Sequence, residues 1–350
     1  MHKPFIKNIS LAEADSWFAS AGEKSYRGRQ LFNWIYERNV GSFHDMTNFS
    51  KELRQRLGDE FLLAPLVLEE RLVSESDETE KYLFRTEDGH YIESVLIKSE
   101  KLSGERLTLC ISSQIGCGMG CSFCRTGGMG FVRNLETAEI LEQLSQVRRI
   151  SGLKNNNIVF MGMGEPFLNY DNVLKAADIM NYSFGFHISV RKITISTCGI
   201  GRAIERFIDE ERPYNLAISL NDTESVKRRI NMPVESKYPF AEILSMLEKK
   251  FPASRNRLTI EYVMRRDNIS REDAKRLKKM FRNIRIKLNL IPLNPSGSGE
   301  APGGEEIESF LNELAIMNVP VSVRMSYGGD ICGACGQLAG KKLYREGAVI

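Results

Sequence analysis

The chain has 350 residues, of which 42% are hydrophobic and 27% charged, and a net charge of +3. That length holds one large domain with a small one beside it, and the balance is that of an ordinary globular protein. No run of about 18 apolar residues occurs, and the segment Met1–Lys7 lacks the apolar centre of a signal peptide, so no membrane partner is expected and the protein reads as cytoplasmic. Seven cysteines in such a chain point to metal or redox chemistry rather than to a disulfide scaffold.

Residues 1 to about 65 read as helical: Leu31, Trp34, Ile35 and Phe43 recur near helical spacing, and Ser50 opens a short amphipathic stretch ending near Leu57. This predicts a small helical N-terminal domain over 1–75, of a nucleic-acid-binding type, with Lys24, Arg27 and Arg29 as weak candidates for contact. The acidic stretch Glu75–Glu80 reads as a linker. Two strand-like runs, Lys81–Arg85 and His90–Ile97, flank Asp88-Gly89, which is a hairpin signal. Residues 76–102 are therefore read as linker plus β-hairpin.

From Leu107 onward short apolar runs alternate with helical patterns. The strand candidates are Leu107–Ile111, Asn157–Met161, Lys192–Ser196, Leu216–Leu220, Arg257–Val263 and Ile286–Ile291. The helix candidates are Glu136–Arg149, Asp171–Met180, Gly201–Asp209, Phe240–Lys249, Ser270–Arg282 and Glu305–Met317, with Ser270 and Asp273 at capping-box spacing. The alternation predicts an α/β fold with a parallel sheet, and six repeats over 103–330 fit a partial (β/α)6 barrel better than a full one. Sites in such folds lie at the C-terminal ends of strands. Pro292–Gly304 reads as a long flexible loop, and 331–350 as a C-terminal tail. Between Lys249 and Lys287 stand 14 Lys/Arg against 4 Asp/Glu. Such a block can steer nucleic acid, but the solvated outer face of barrel helices is the weightier reading.

Cys117, Cys121 and Cys124 offer three thiolates from one glycine-rich loop, Gly116-Cys-Gly-Met-Gly-Cys-Ser-Phe-Cys124. A structural zinc closes with four ligands, whereas a cluster of four irons held by three thiolates keeps one iron open for chemistry. Phe123 suits an apolar cover over a cluster. Zinc completed by Cys332 or Cys335 is the rival reading.

CxxxCxxC with an aromatic before the last cysteine resembles the radical S-adenosylmethionine (SAM) superfamily. Further segments narrow the likeness: Cys110–Cys117, Gly130-Phe-Val-Arg-Asn-Leu135, Phe160-Met-Gly-Met-Gly-Glu-Pro166, Ile195-Ser-Thr-Cys-Gly199 and Gly329-Asp-Ile-Cys-Gly-Ala-Cys-Gly-Gln-Leu338. From about Tyr26 to Gly340 the chain resembles the RlmN/Cfr family of radical SAM RNA methyltransferases. The resemblance implies a radical SAM barrel with the helical domain and hairpin as extensions. It also implies one 4Fe–4S cluster on Cys117, Cys121 and Cys124, and two SAM molecules consumed per methyl transferred. Cys335 matches the cysteine that carries the methyl as an S-methylcysteine. Cys110 matches the partner that releases the product by forming a disulfide with Cys335. Glu93 matches the proton acceptor. Gly164, Glu165, Ser196, Ser219, Leu220, Asn221 and Asn294 match SAM contacts. The implied substrate is carbon 2 of adenine in 23S rRNA and in tRNA. The implied partners are those RNAs and a reducing electron donor such as a flavodoxin or ferredoxin, with the chain acting as a monomer.

Adenine carbon 2 is electron-poor and lacks an acidic proton, so it does not attack an electrophilic methyl, whereas a carbon radical adds to it. The adduct then needs a base and a thiolate. Each residue also has a plainer reading. Glu93 is an outward, solvated glutamate on a hairpin; Gly164 and Glu165 make a tight turn before Pro166; Ser196 and Ser219 bond backbone; Asn294 forms a turn between prolines. Asn221 stands where relatives often have His, and Tyr327 where Arg is common. Cys198 is taken as packing, and Cys332 as incidental to the Cys332-Gly-Ala-Cys335 pair. Two alternatives stay open: a Cfr-type methyltransferase acting on carbon 8, and a zinc-stabilised RNA-binding protein without catalysis.

Overall fold

The protein is described by a computed structural model over residues 3–101, 104–154, 157–251, 258–294, 299–315 and 320–339. The N-terminal region is helical: α1 (Leu11–Ser20), α2 (Tyr26–Phe32) and α3 (Lys51–Glu60). Ser10 starts α1 with a capping box, its hydroxyl accepting from the Glu13 N–H at 3.2 Å and the Glu13 carboxylate accepting from the Ser10 N–H at 2.5 Å. Beyond α2 the chain widens into a π-turn at Asn33–Glu37 that buries Trp34, Ile35 and Tyr36. These pack with Phe18, Leu31, Phe49 and Leu57 into the apolar core.

The helical reading ends at Glu60. Leu66–Val73 is a strand, β1, inside the stretch to residue 75 that reads as helical. Its exposure alternates residue by residue, and its partner is β2 (Glu80–Thr86), paired antiparallel. The intervening segment is no loose linker. The Ser74 N–H donates to the Thr79 carbonyl at 2.8 Å, and Asp330 from the far end of the chain accepts from the Ser74 hydroxyl at 2.8 Å and the Glu75 N–H at 3.0 Å. The hairpin about Asp88-Gly89 joins β2 to β3 (Tyr91–Lys101), with Gly89 at φ +85°. Thus β1 to β3 form an antiparallel extension larger than a hairpin, laid onto β4 (Gly104–Cys110).

The cysteine loop has a two-stranded sheet of its own, β5 (Gln114–Cys117) and β6 (Gly130–Asn134), with the short helix α4 (Arg125–Gly128) between them. The remaining elements are α5 (Thr137–Ser151), β7 (Asn157–Phe160), α6 (Tyr170–Asn181), β8 (Ile193–Thr197), α7 (Gly201–Asp209), β9 (Asn215–Ser219), α8 (Ser225–Asn231), α9 (Phe240–Lys250), β10 (Leu258–Met264), α10 (Arg271–Met280), β11 (Ile286–Pro292), α11 (Gly304–Ala315) and β12 (Val321–Val323). One sheet runs β1-β2-β3-β4-β7-β8-β9-β10-β11-β12, parallel from β4 onward. This is the expected partial barrel, extended by β12. Cys110, Phe160, Thr197, Ser219, Met264 and Pro292 end neighbouring strands on one rim. Of the loop Pro292–Gly304, residues 295–298 lie outside the described residues, as do 340–350 of the tail.

Among the described residues much of the basic block is a paired outer face, whereas Arg265 is buried against Asp222. Lys250 pairs with Glu205 and Asp209, Arg266 with Glu300 and Glu306, Arg271 with Glu313, and Arg276 with Glu224 and Asp273. Ser270 caps α10, accepting from the Asp273 N–H at 3.2 Å as its spacing predicts.

The N-terminal region is pinned to the barrel by a buried ion pair. Lys7 is 1% exposed, bonds Glu142 of α5, and donates to the Ser145 hydroxyl at 3.0 Å. Removing one partner strands the other charge. Lys7→Met alone should cost about 3 kcal/mol in chemical denaturation, and Lys7→Met with Glu142→Leu should recover most of that loss. A double variant no more stable than the single one contradicts this account of the contact.

Candidate active site

Past Cys110 the chain crosses the rim and interlocks with the turn after β7. The Ile111 N–H donates to the Val159 carbonyl at 3.0 Å, and the Gly162 N–H donates back to the Ile111 carbonyl at 3.1 Å. Glycine is required in that turn: a Cβ on Gly162 would sit 2.7 Å from the Ile111 carbonyl carbon. One on Gly164, at φ +99°, would sit 2.5 Å from Gln114 Cβ. Gln114 accepts from the Glu165 N–H at 2.8 Å, which aligns the cysteine loop with Glu165.

A cleft of about 940 Å³ opens on this rim. Cys117, Cys121 and Cys124 line it, together with Gly164, Glu165, Ser196, Ser219, Asn221, Asn294 and Cys335. The structure thus brings together all but one of the residues matched to the cluster and SAM. Leu220 is the exception; its side chain is fully buried, and its N–H donates to the Glu261 carbonyl at 2.9 Å. Several of the others are already bonded. Glu165 accepts from the Phe167 N–H at 3.0 Å and the Cys198 N–H at 2.8 Å, so the Cys198 backbone has a fastening role beyond packing. Asn221, at φ +60°, accepts from the Val263 N–H at 2.8 Å and donates to Met232 Sδ at 3.3 Å. Asn294 donates to the Cys335 carbonyl at 3.0 Å.

Two residues that sequence reasoning did not single out belong here. Glu261 on β10 lines the cleft at 5% exposure; one carboxylate oxygen accepts from the Ser196 hydroxyl at 2.9 Å, and the other has no partner. Only its position, inward on a central strand, could have marked it. Arg228 of α8, 1% exposed, pairs with Glu235 and donates to the carbonyls of Leu220 at 3.0 Å, Cys198 at 2.8 Å and Ser219 at 3.1 Å. It ties the ends of β8 and β9 into one wall.

Cys110 and Cys335, 225 positions apart in the chain, line a second cavity of about 480 Å³. Cys335 lines both cavities. It is open to them yet ringed by protein, so burial raises its thiol, and burial pushes Cys110 up to about 12. Arg324 lines the second cavity, and its guanidinium charge opposes the shift at both sulfurs. Tyr327 lines this cavity as well. Cys332 lines neither; its sulfur lies 3.8 Å from Arg125, and its backbone sits at φ +51°.

Glu93 is fully buried on β3, which overturns the solvated-glutamate reading. Its carboxylate pairs with Lys81 at 3.2 Å, and Lys81 also reaches the Cys332 carbonyl at 3.5 Å. Burial raises the Glu93 carboxyl, opposed by Lys81 and by the Ala339 backbone. Glu93 thus lies beneath the tail, and it lines neither cavity.

The residues present fit the implied groups. Burial pushes the Cys117 thiol up to about 12 and raises Cys121, and thiols so placed ionise when metal supplies the compensating charge. Beside the thiols, the unpartnered Glu261 oxygen and the glycine-floored cleft suit a small ligand rich in donors.

Fold and site together define a radical SAM methyltransferase. The family model described as "Radical SAM superfamily" matches residues 111–277, and that of the "Ribosomal RNA large subunit methyltransferase N-terminal domain" matches 6–63. The crystal structure of a radical SAM methyltransferase from Sphaerobacter thermophilus superposes with a TM-score of 0.89 at 36% identity, covering 96% of this chain and 99% of that one. The dual-specificity RNA methyltransferase RlmN of Geotalea uraniireducens is 44% identical over 97% of this chain and 98% of its own. That of Geobacter sulfurreducens is 43% identical over 96% and 92%. The chain belongs to the RlmN family of radical SAM RNA methyltransferases, whose cofactors are a 4Fe–4S cluster and SAM. No described helix is long and apolar enough to cross a membrane.

Arg324 should lower the thiol pKa of Cys335. With Arg324→Met that pKa rises, the thiolate fraction at a given pH falls, and alkylation at Cys335, followed by peptide mass spectrometry, should need a higher pH for the same rate. An unchanged pH midpoint contradicts the assignment.

Proposed function

We propose that this enzyme methylates carbon 2 of adenine in 23S rRNA and in tRNA through an S-methylcysteine on Cys335. The observation that carries the reading is the shared position of Cys335, which faces the cleft of the three loop cysteines on one side and Cys110 on the other. A methyl carried there lies between a radical source and a resolving thiol. We assign Cys117, Cys121 and Cys124 to the cluster, and Gly164, Glu165, Ser196, Ser219, Leu220, Asn221 and Asn294 to the walls and floor of the SAM site. When bound, cluster and SAM supply a carbon-centred radical that takes one hydrogen atom from the S-methyl group.

The chain's own groups then act in order. The methylene radical on Cys335 adds to carbon 2 and joins protein to RNA, and the adduct must then give up its one unpaired electron, for which the oxidised cluster would be the acceptor. Glu93 takes the proton from that carbon; burial raises its affinity for a proton and Lys81 opposes that rise, and because Glu93 lines neither cavity the tail above it must shift for the two to meet. Cys110 attacks the Cys335 sulfur, the sulfur–sulfur bond forms as the sulfur–carbon bond breaks, and the released carbon picks up a proton to become the product methyl. Arg324 favours the thiolates this needs.

The N-terminal region 1–75, helical as far as Glu60, is proposed as an RNA-binding domain, supported by the match of residues 6–63 to a ribosomal RNA methyltransferase N-terminal domain. The region 76–102, the barrel core 103–330 and the tail from 331 complete the division. A reducing protein such as a flavodoxin or ferredoxin is the proposed electron source. The cytoplasm, where these RNAs and free thiols occur, is the proposed setting. A monomer is the proposed state.

Mass spectrometry of nucleosides from reacted 23S rRNA and tRNA should show 2-methyladenosine in both; a predominant 8-methyl product overturns the carbon assignment. Cys335→Ala should abolish methyl transfer. Cys110→Ala should accumulate a covalent protein–RNA species on denaturing gels, and free turnover by that variant rejects its role.

A further inference from the structure

The cysteine loop comes to the surface at Gly118 and Gly120, both exposed. A Cβ on Gly118 would lie 3.4 Å from Phe131 Cβ, and one on Gly120 would lie 3.7 Å from Pro233 Cγ. The loop therefore runs between two apolar neighbours. On one side Phe131 and Val132 are 52% and 50% exposed; on the other, α8 carries Val226 and Ile230 at 68% and 72%. Four residues apart, these two share a helix face.

That helix is fastened to the loop. The Ser122 N–H donates to the Asn231 carbonyl at 3.0 Å, and the Ser122 hydroxyl bonds Asn231 Oδ1 at 2.9 Å. Arg228 anchors its inner face, so the outward side chains are not needed for packing. Scattered apolar residues are normal on a surface, but Val226 and Ile230 pair on one helix face beside a loop whose other flank carries the half-exposed Phe131. The exposed charge around them is mostly cationic, with the half-exposed Glu224 before α8 pairing with Lys227 at 3.5 Å. From Ser225 to Lys237, Arg229 and Lys237 are exposed and Lys227 is partly so. The single acid there, Glu235, is buried against Arg228. An apolar centre with a cationic rim matches an acidic protein; RNA affinity is led by phosphate contacts, which a patch centred on Val226, Ile230, Phe131 and Val132 does not supply.

We propose that Val226, Ile230 and Arg229, with Phe131 across the glycine loop, form the docking face for an acidic one-electron donor protein. It rests on the assignment of the cluster to Cys117, Cys121 and Cys124. The step moves one electron and no atom: the donor's reduced flavin is oxidised by one, and the cluster is reduced by one. Gly118 and Gly120 keep the wall between donor and cluster thin.

The test compares the cluster-loaded native protein with Val226→Glu/Ile230→Glu and, separately, Arg229→Glu. An acidic flavodoxin is the probe, its affinity read by calorimetry and cluster reduction by bleaching of visible absorbance. Both variants should lose about tenfold or more in flavodoxin affinity and in the bleaching rate it drives, while dithionite, which needs no docking, bleaches them at the native rate. Flavodoxin affinity unchanged in both variants overturns the proposal. So does retained flavodoxin binding with lost RNA affinity, which gives the face to RNA. A native protein with no cluster that dithionite can bleach removes the underlying cluster assignment, and the docking proposal with it.

Discussion

The return of the C-terminal segment to the barrel rim is the contact on which the site depends. Cys335 reaches the cleft because the chain around it is tied down at several places. The Gly336 carbonyl accepts from the Arg125 N–H at 2.9 Å, the Leu338 carbonyl accepts from the Thr126 hydroxyl at 2.6 Å, and Asn294 holds the Cys335 carbonyl. Further back, Asp77 accepts from the Gly328 N–H at 2.7 Å, and Asp330 caps the turn between β1 and β2. The antiparallel extension and the cysteine loop are thus two halves of a clamp on one tail. Neither alone would set Cys335 between the three loop cysteines and Cys110.

The clamp works because the rim beneath it is stiff. Gly162 and Gly164 let two strand-end turns touch where any side chain would collide, and Arg228 gathers three carbonyls into one wall. Buried charges are costly unless paired, and here the pairs sit at the joints: Lys81 with Glu93 under the tail, Arg228 with Glu235 beside the cleft, Lys7 with Glu142 at the N-terminal region. Glu261 keeps one oxygen without a partner, which marks where a ligand rather than the fold completes the bonding.

Much of this was legible in the sequence, for definable reasons. The six expected parallel strands appear within a few residues of their apolar runs, because buried parallel strands carry continuous hydrophobic signals. The residues that the resemblance matched to the cluster and to SAM line the cleft, apart from Leu220. What escaped were elements whose signal is not periodic. β12 spans Val321–Val323, β5 and β6 are short, and α8 has seven residues, too few for helical spacing to declare itself. β1 was hidden by its mixed Leu-Val-Leu-Glu-Glu-Arg-Leu-Val pattern, which pairing with β2 decides. Glu93 shows the limit most clearly: its neighbours on the hairpin suggest solvent, and only the tail and Lys81 bury it. Arg324 and Glu261 act through contacts between distant segments, which no local pattern encodes.

The most direct measurement of the central claim is peptide mass spectrometry of the cluster-loaded protein after incubation with SAM in the absence of RNA. The peptide containing Cys335 should be heavier by one methylene group, with fragmentation placing the methyl on the Cys335 sulfur. A methyl found on Cys110 or Cys332 instead, or no methylated cysteine at all, would contradict the assignment of Cys335 as the carrier between the two cavities.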